Sequence, residues 1–165
     1  MPKTIFTLGF HTLTLVDFIR LVKEQDVFRV VDIRSQDMID SNRGKFSPRQ
    51  LKAILKNINV DYVHLPEVGL SEEVKLRAKS NGTKGDLIKD YISKLSTDKS
   101  IIKKIISFFS DDKVLILCFE ENAEVCIRKP FSDLVKTILN EETRVTNLSS
   151  KDLKPLVIPP PEAVL

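Results

Sequence analysis

At 165 residues, 42% hydrophobic and 30% charged, the chain has the length and composition of one globular domain with room for a sizeable core. Its net charge of +3 is too small to demand a polyanionic partner, and no stretch reaches the roughly 18 consecutive apolar residues of a membrane span. Two cysteines outside any CxxC pair, and an N-terminus without a secretory leader, point to a cytoplasmic protein held without a disulfide.

Lys3 to Leu8 alternates and stops at Gly9, which predicts a first strand with Phe10 and His11 at its exit. Leu15, Phe18, Ile19 and Val22 recur at helical spacing, with Thr14 as N-cap and Asp17 placing negative charge in the first turn. Val27 to Ile33 is the next strand, so the chain opens as a β-α-β unit with an expected right-handed crossover. Ser35 to Phe46 reads as a long polar loop, a length that points to function or mobility. Ser47, Pro48 and Gln50 then start a helix whose buried stripe is Leu51, Ile54, Leu55 and Ile58. Val60 to Leu65 is the third strand, stopped by Pro66 with Glu67 just beyond.

The middle of the chain is helical: Ser71 to Ser80, a second segment carrying Ile88, Tyr91, Ile92 and Leu95, and a third from about Asp98 to Ser110 with Lys103 and Lys104 facing solvent. Lys113 to Leu117 is a strongly apolar strand that delivers Cys118 at its exit. A turn follows to Arg128, then a helix opened by Lys129 and Pro130, and a short last strand from Val145 to Leu148. The expectation is one three-layer α/β/α domain over residues 1–154, a mostly parallel sheet of about five strands flanked by helices. Residues 155–165, with Pro159, Pro160 and Pro161, form an extended tail.

The chemistry-bearing residues gather at predicted carboxyl ends of strands: His11, Arg34, His64, Glu67, Cys118, Glu120, Cys126 and Arg128. In open α/β sheets, ligands bind where such ends open onto a crevice. Arg34 suits a phosphate or carboxylate because its planar fork makes two parallel hydrogen bonds. The alternative is that Asp32 and Arg34 tie neighbouring loops together. Arg43 and Lys45 flank Gly44 in the polar loop, where they would close over an anion or stand as exposed loop charge. His64 with Glu67 has the makings of a general acid or base, and the same histidine also fits a satisfied core position. Cys118 is a candidate nucleophile in an acidic neighbourhood, or an inert small hydrophobe.

His11, His64, Cys118 and Cys126 are zinc-capable types, but none of the tight ligand spacings occurs, so no metal is expected. No phosphate-loop or dinucleotide fingerprint is present, and no cofactor is implied.

Thr7 to Thr12, Val31 to Ser35, Ser41 to Phe46, Tyr62 to Gly69 and Cys118 to Arg128, in that order, resemble motifs of the bacterial and archaeal family called domain of unknown function 488. Its Thr-Ile-Gly opening, Val-Asp-Val-Arg-Ser strand, Tyr-x-His-Leu-Pro-Glu-Leu-Gly segment and Cys-His-Arg turn are the counterparts. Ile127 stands where that family has histidine, and Phe10, His11 and Thr12 depart from its usual triplet. The resemblance implies a single α/β domain and a shared site near Gly9, Arg34, His64, Glu67, Cys118, Cys126 and Arg128, with no reaction attached. A weaker resemblance, to rhodanese-like sulfurtransferases, rests on the strand ending at Arg34 and the cysteine after an apolar strand. Phe119, Glu120 and Glu121 lack the glycine and donors of a persulfide loop.

Three functions follow as expectations. The leading one is an active or ligand-binding site for a small anionic ligand, with Arg34 and Arg128 as anion holders, Gly9, His11, Arg43, Glu120 and Cys126 around them, and His64, Glu67 or Cys118 reacting. The others are a nucleic-acid or protein binding module using Arg43, Lys45 and Lys84, and cysteine chemistry at Cys118, either rhodanese-like sulfur transfer or redox.

Overall fold

The computed structural model describes residues 2–41, 46–70, 84–120, 126–139 and 142–156. Five strands, β1 (Lys3–Gly9), β2 (Arg29–Asp32), β3 (Asp61–His64), β4 (Val114–Cys118) and β5 (Thr143–Leu148), form one parallel sheet in the order β3-β2-β4-β1-β5. Residue type explains the order. All of Val114 to Cys118 is buried, as are Val30 and Val31, which suits interior strands covered on both faces. The edge strands β3 and β5 carry half-buried and polar residues instead.

Among the described residues, six α-helices cover the sheet: α1 (Leu15–Glu24), α2 (Gln36–Ser41), α3 (Pro48–Asn57), α4 (Lys84–Thr97), α5 (Lys99–Phe108) and α6 (Arg128–Leu139). Strand alternation splits the core in two. Phe6, Leu8, Val30, Leu115 and Leu117 pack with Phe18, Leu21 and Val22 of α1 and Leu51 and Leu55 of α3. Ile5, Val31, Val114, Ile116 and Cys118 pack on the other face with Leu95 of α4, Ile101 and Ile105 of α5, and Phe131 and Val135 of α6. This is the expected three-layer α/β/α architecture with a parallel sheet.

The predicted caps are present: Thr14 Oγ1 accepts from the amide of Asp17 at 3.1 Å, and Ser47 Oγ from that of Gln50 at 3.1 Å. The stretch after Arg34, read as polar loop, instead begins with α2. Ser35 Oγ accepts from the amide of Met38 at 3.3 Å, its carbonyl accepts from Ile39 at 3.1 Å, and Met38 and Ile39 are buried. Six residues with two apolar anchors carry too little periodicity to announce a helix. Cys118 is the last residue of β4 rather than its exit, and β5 begins two residues earlier than Val145. The predicted helix from Ser71 to Ser80 and the proline tail from 157 onward lie outside the described residues.

Candidate functional site

The parallel register brings the carboxyl ends of β1, β2, β3 and β4 to one edge: Asp32 stands beside His64 and Leu117, and Gly9 beside Cys118. The chain leaves β1 and β2 toward the helices of one face and β4 toward α6 on the other, so the connections diverge at this edge.

On the α1/α3 face, Arg34 is wholly buried and pairs with Asp32 at two points, Nε to Oδ1 at 2.9 Å and Nη2 to Oδ2 at 2.6 Å. Nη2 also donates to the carbonyl of Phe46 at 2.8 Å, and the guanidinium carbon lies 4.7 Å from the centroid of the Phe10 ring. Phe46 holds that carbonyl inward from a left-handed backbone, φ 54°, uncommon for an aromatic residue. Tyr62 Oη donates to Asp32 Oδ2 at 2.6 Å. Burial disfavours the Arg34 cation, but the hydrogen bonds and charge of Asp32 outweigh it and hold the arginine pKa above its ordinary value. Burial first, then the neighbouring Asp32 carboxylate, push the Tyr62 phenol far up, so it is a fixed donor. Nη1 of Arg34 is buried and has no hydrogen-bond partner among the described residues.

His64 ends β3, half-buried, with Nε2 2.9 Å from the carbonyl of Arg34. A carbonyl can only accept, so Nε2 carries the proton and Nδ1 is left as the ring's acceptor in the neutral form. Gly69 packs against this bend: a Cβ there would lie 2.3 Å from the amide nitrogen of Ser35 and 2.5 Å from the carbonyl of Ile33.

On the other face, Cys118 and Cys126 are buried and not disulfide-bonded. The neighbouring Cys118 thiol, with burial, pushes the Cys126 thiol well up, against the pull of Arg128. Arg128 opens α6 and its Nη1 donates to the carbonyl of Glu120. Gly9 is what lets these two approach, since a Cβ on it would lie 1.6 Å from the Glu120 carbonyl oxygen and 2.4 Å from Arg128 Nη1. His11 stacks edge-on against Phe119, ring centroids 4.7 Å apart, and Phe119 packs against both cores. Ile127 is buried, and its carbonyl accepts from Phe131 at the start of α6.

Gly9, Arg34, His64, Cys118, Glu120, Cys126 and Arg128 thus share one edge, divided between two faces. Glu67 turns away: in the 3-10 turn Pro66–Val68 its carboxylate pairs with Lys104 of α5 and its carbonyl accepts from Tyr91. Burial raises the Glu67 carboxyl, but the hydrogen bond and charge of Lys104, with a smaller contribution from His64, hold it below its ordinary value. Arg43 and Lys45 lie outside the described residues, as does the side chain of Lys84. Sequence reasoning passed over Tyr62 and Phe46. Strand alternation was the available signal for Tyr62, two residues before His64 on the same face. For Phe46 it was the apolar residue just before an N-cap serine, with Leu51 four positions into the helix to pack against.

Among the described residues no group of three or more metal-ligating side chains converges, and no helix is long and apolar enough to cross a membrane. A family model described as domain of unknown function DUF488 matches residues 14–135. No curated protein and no solved structure matched the chain.

Proposed function

The chain belongs to the domain of unknown function 488 family, and we propose that this member binds a small anionic ligand at the carboxyl edge of its sheet, with Arg34 as the principal donor. The observation that carries this reading is Arg34 Nη1, a donor buried with its side chain fully excluded from solvent and lacking an acceptor among the described residues. An unpaired buried N–H of a cation is costly, and an oxygen of a carboxylate or phosphate would satisfy it. Asp32, Tyr62 and the Phe46 carbonyl fix the guanidinium plane, so the remaining donor is oriented before any ligand arrives. In this reading Arg128 and Gly9 form the adjoining wall, His11 and Glu120 its rim, and His64 Nδ1 accepts a proton from the ligand.

The test is thermal melting of the full chain across nucleotides, phosphorylated metabolites and small carboxylates. A true ligand at a hundredfold its Kd stabilises by about 2.7 kcal/mol, a shift of roughly 5–10 °C for a chain this size. Arg34→Lys keeps the charge and loses the fork, so the shift should vanish while the far-ultraviolet circular dichroism of the unliganded variant is unchanged. A wild-type chain that no anion stabilises, or a shift that survives Arg34→Lys in full, overturns the proposal.

A further inference from the structure

The last strand, β5, is an open edge of the sheet and takes no part in the anion site. We infer that two copies of this chain pair through β5, antiparallel about a two-fold axis at Val145, so that their sheets run on as one. The backbone sets this register. Lys3 stands beside Thr143, and its amide donates to the carbonyl of Glu142 at 3.0 Å. Bonded residues alternate along such a ladder, so Arg144, Thr146 and Leu148 turn their N–H and C=O groups to β1. Thr143, Val145 and Asn147 turn theirs to the open edge. Among the described residues none of these outward groups has a hydrogen-bond partner.

Natural sheets blunt an open edge by shortness, proline, bulges or charge. The other edge, β3, follows that rule: it has four residues, opens with Asp61 in an ion pair with Arg29, and turns only Tyr62 and His64 outward. β5 has six residues in unbroken register with β1 and contains no proline.

A second copy suits this edge because the edge is its own complement. Turned about Val145, Thr143 meets Asn147 of the second copy, Val145 meets Val145, and Asn147 meets Thr143. These are the hydrogen-bonded positions of an antiparallel ladder, so each outward N–H finds an outward C=O. Opposed side chains share a face, which sets the half-buried Val145 against its own copy with a polar pair on either side. On the other face Arg144 stands opposite Thr146, so no like charges are directly opposed. Glu142 stands opposite Leu148, and the chain beyond Leu148 enters the 3-10 turn Ser150–Asp152, which carries Lys151. Neither Glu142 nor Lys151 has an ion pair among the described residues, and the axis brings the acid of each copy toward the lysine of the other. A two-fold contact closes on itself, so assembly stops at the dimer. One ladder is a small interface, which makes the dimer weak and dependent on concentration.

The experiment takes the full unliganded chain from about 10 µM to about 1 mM through sedimentation velocity, and follows amide hydrogen exchange by NMR at both ends of that range. The expected result is a monomer giving way to a dimer. Exchange at Thr143, Val145 and Asn147 should slow several-fold at the higher concentration, while Tyr62 and His64 on the other edge stay unchanged. Val145→Pro removes an outward donor and leaves the bonds to β1, because proline is tolerated on an edge where its nitrogen faces solvent. That variant should stay monomeric with unchanged far-ultraviolet circular dichroism. Glu142→Lys should weaken the dimer, and Glu142→Lys with Lys151→Glu should restore it. The inference is overturned by a chain that stays monomeric throughout, by a dimer whose edge amides exchange freely, by a dimer that survives Val145→Pro, or by a double charge reversal that fails to restore association. The wild-type exchange pattern decides the matter even if a variant does not fold.

Discussion

Asp32 and Arg34, separated by one residue, close a two-point ion pair with both side chains fully buried, and Tyr62 shares the same carboxylate. Desolvating two charges is expensive, and removing one partner strands the other. Arg34→Met and Asp32→Leu should each cost about 3–5 kcal/mol, whereas the double variant should cost well under their sum. Denaturant unfolding of the four proteins measures the coupling, and additive losses would show that the pair does not act as a unit.

Tyr62→Phe removes one donor from a carboxylate that keeps Arg34. A hydrogen bond to a charged group contributes about 1.5–3 kcal/mol, and the low end is expected because Oδ2 stays satisfied by Nη2. Unfolding midpoints equal to wild type would mean that the 2.6 Å contact contributes nothing.

Features set by local chemistry were legible in the sequence. Thr14 and Ser47 announced their helices because a cap is a short-range hydrogen bond, and the buried runs of β2 and β4 announced interior strands. The shared edge of Arg34, His64 and Cys118 followed from parallel strands alone. What the sequence hid depended on direction. Glu67 is three residues from His64, yet a single 3-10 turn aims its carboxylate at Lys104, 37 positions away. Likewise, strand spacing placed Arg34 and Cys118 at one edge without revealing that alternation sends Asp32 and Cys118 to opposite faces.

Three glycines separate crowding from mere flexibility. Gly9→Ala would force a methyl group against the Glu120 carbonyl and Arg128, and Gly69→Ala against Ser35 and Ile33, all backbone or buried groups with little room to give. Overpacking of this kind costs about 1–3 kcal/mol. Gly85 has nothing within 4 Å of its would-be Cβ and lies in α4, so Gly85→Ala should stabilise by about 0.5 kcal/mol. Melting temperatures that fall for the first two variants and rise for the third would bear out the crowding, and equal effects at all three would refute it.

Glu67 links acid stability to Lys104. Its carboxyl is held low in the folded chain, so its contribution is present above the ordinary carboxylate value of 4.5 and is lost as pH falls below it through the folded value. The pair is two-fifths exposed, and screening limits it to about 0.5 kcal/mol. Lys104→Met should therefore lower stability slightly at pH 7 and match wild type in strong acid. A deficit that persists in acid would assign the loss to packing instead.

At the alkaline end the signs run the other way. Cys126, Tyr62 and Tyr91 all have pKa values above their ordinary ones: Cys126 through its neighbour Cys118 and burial, Tyr62 through burial and Asp32, Tyr91 through burial and Glu67. A group whose acid form is favoured by folding contributes stability that is complete below its unfolded value and declines as pH rises through the folded one. The decline should begin near the ordinary thiol value of 9.0 and steepen past the ordinary phenol value of 10.0. Because Tyr62 and Tyr91 are the chain's two tyrosines, phenolate absorbance should lag behind that of the unfolded chain and appear together with loss of the far-ultraviolet signal. Tyr62→Phe should flatten the steeper part of the curve, and Cys126→Ala the part that begins near 9.0. Phenolate appearing at ordinary pH in the folded chain would mean that Tyr62 is not clamped on Asp32, and the oriented guanidinium on which anion binding depends would lose one of its supports.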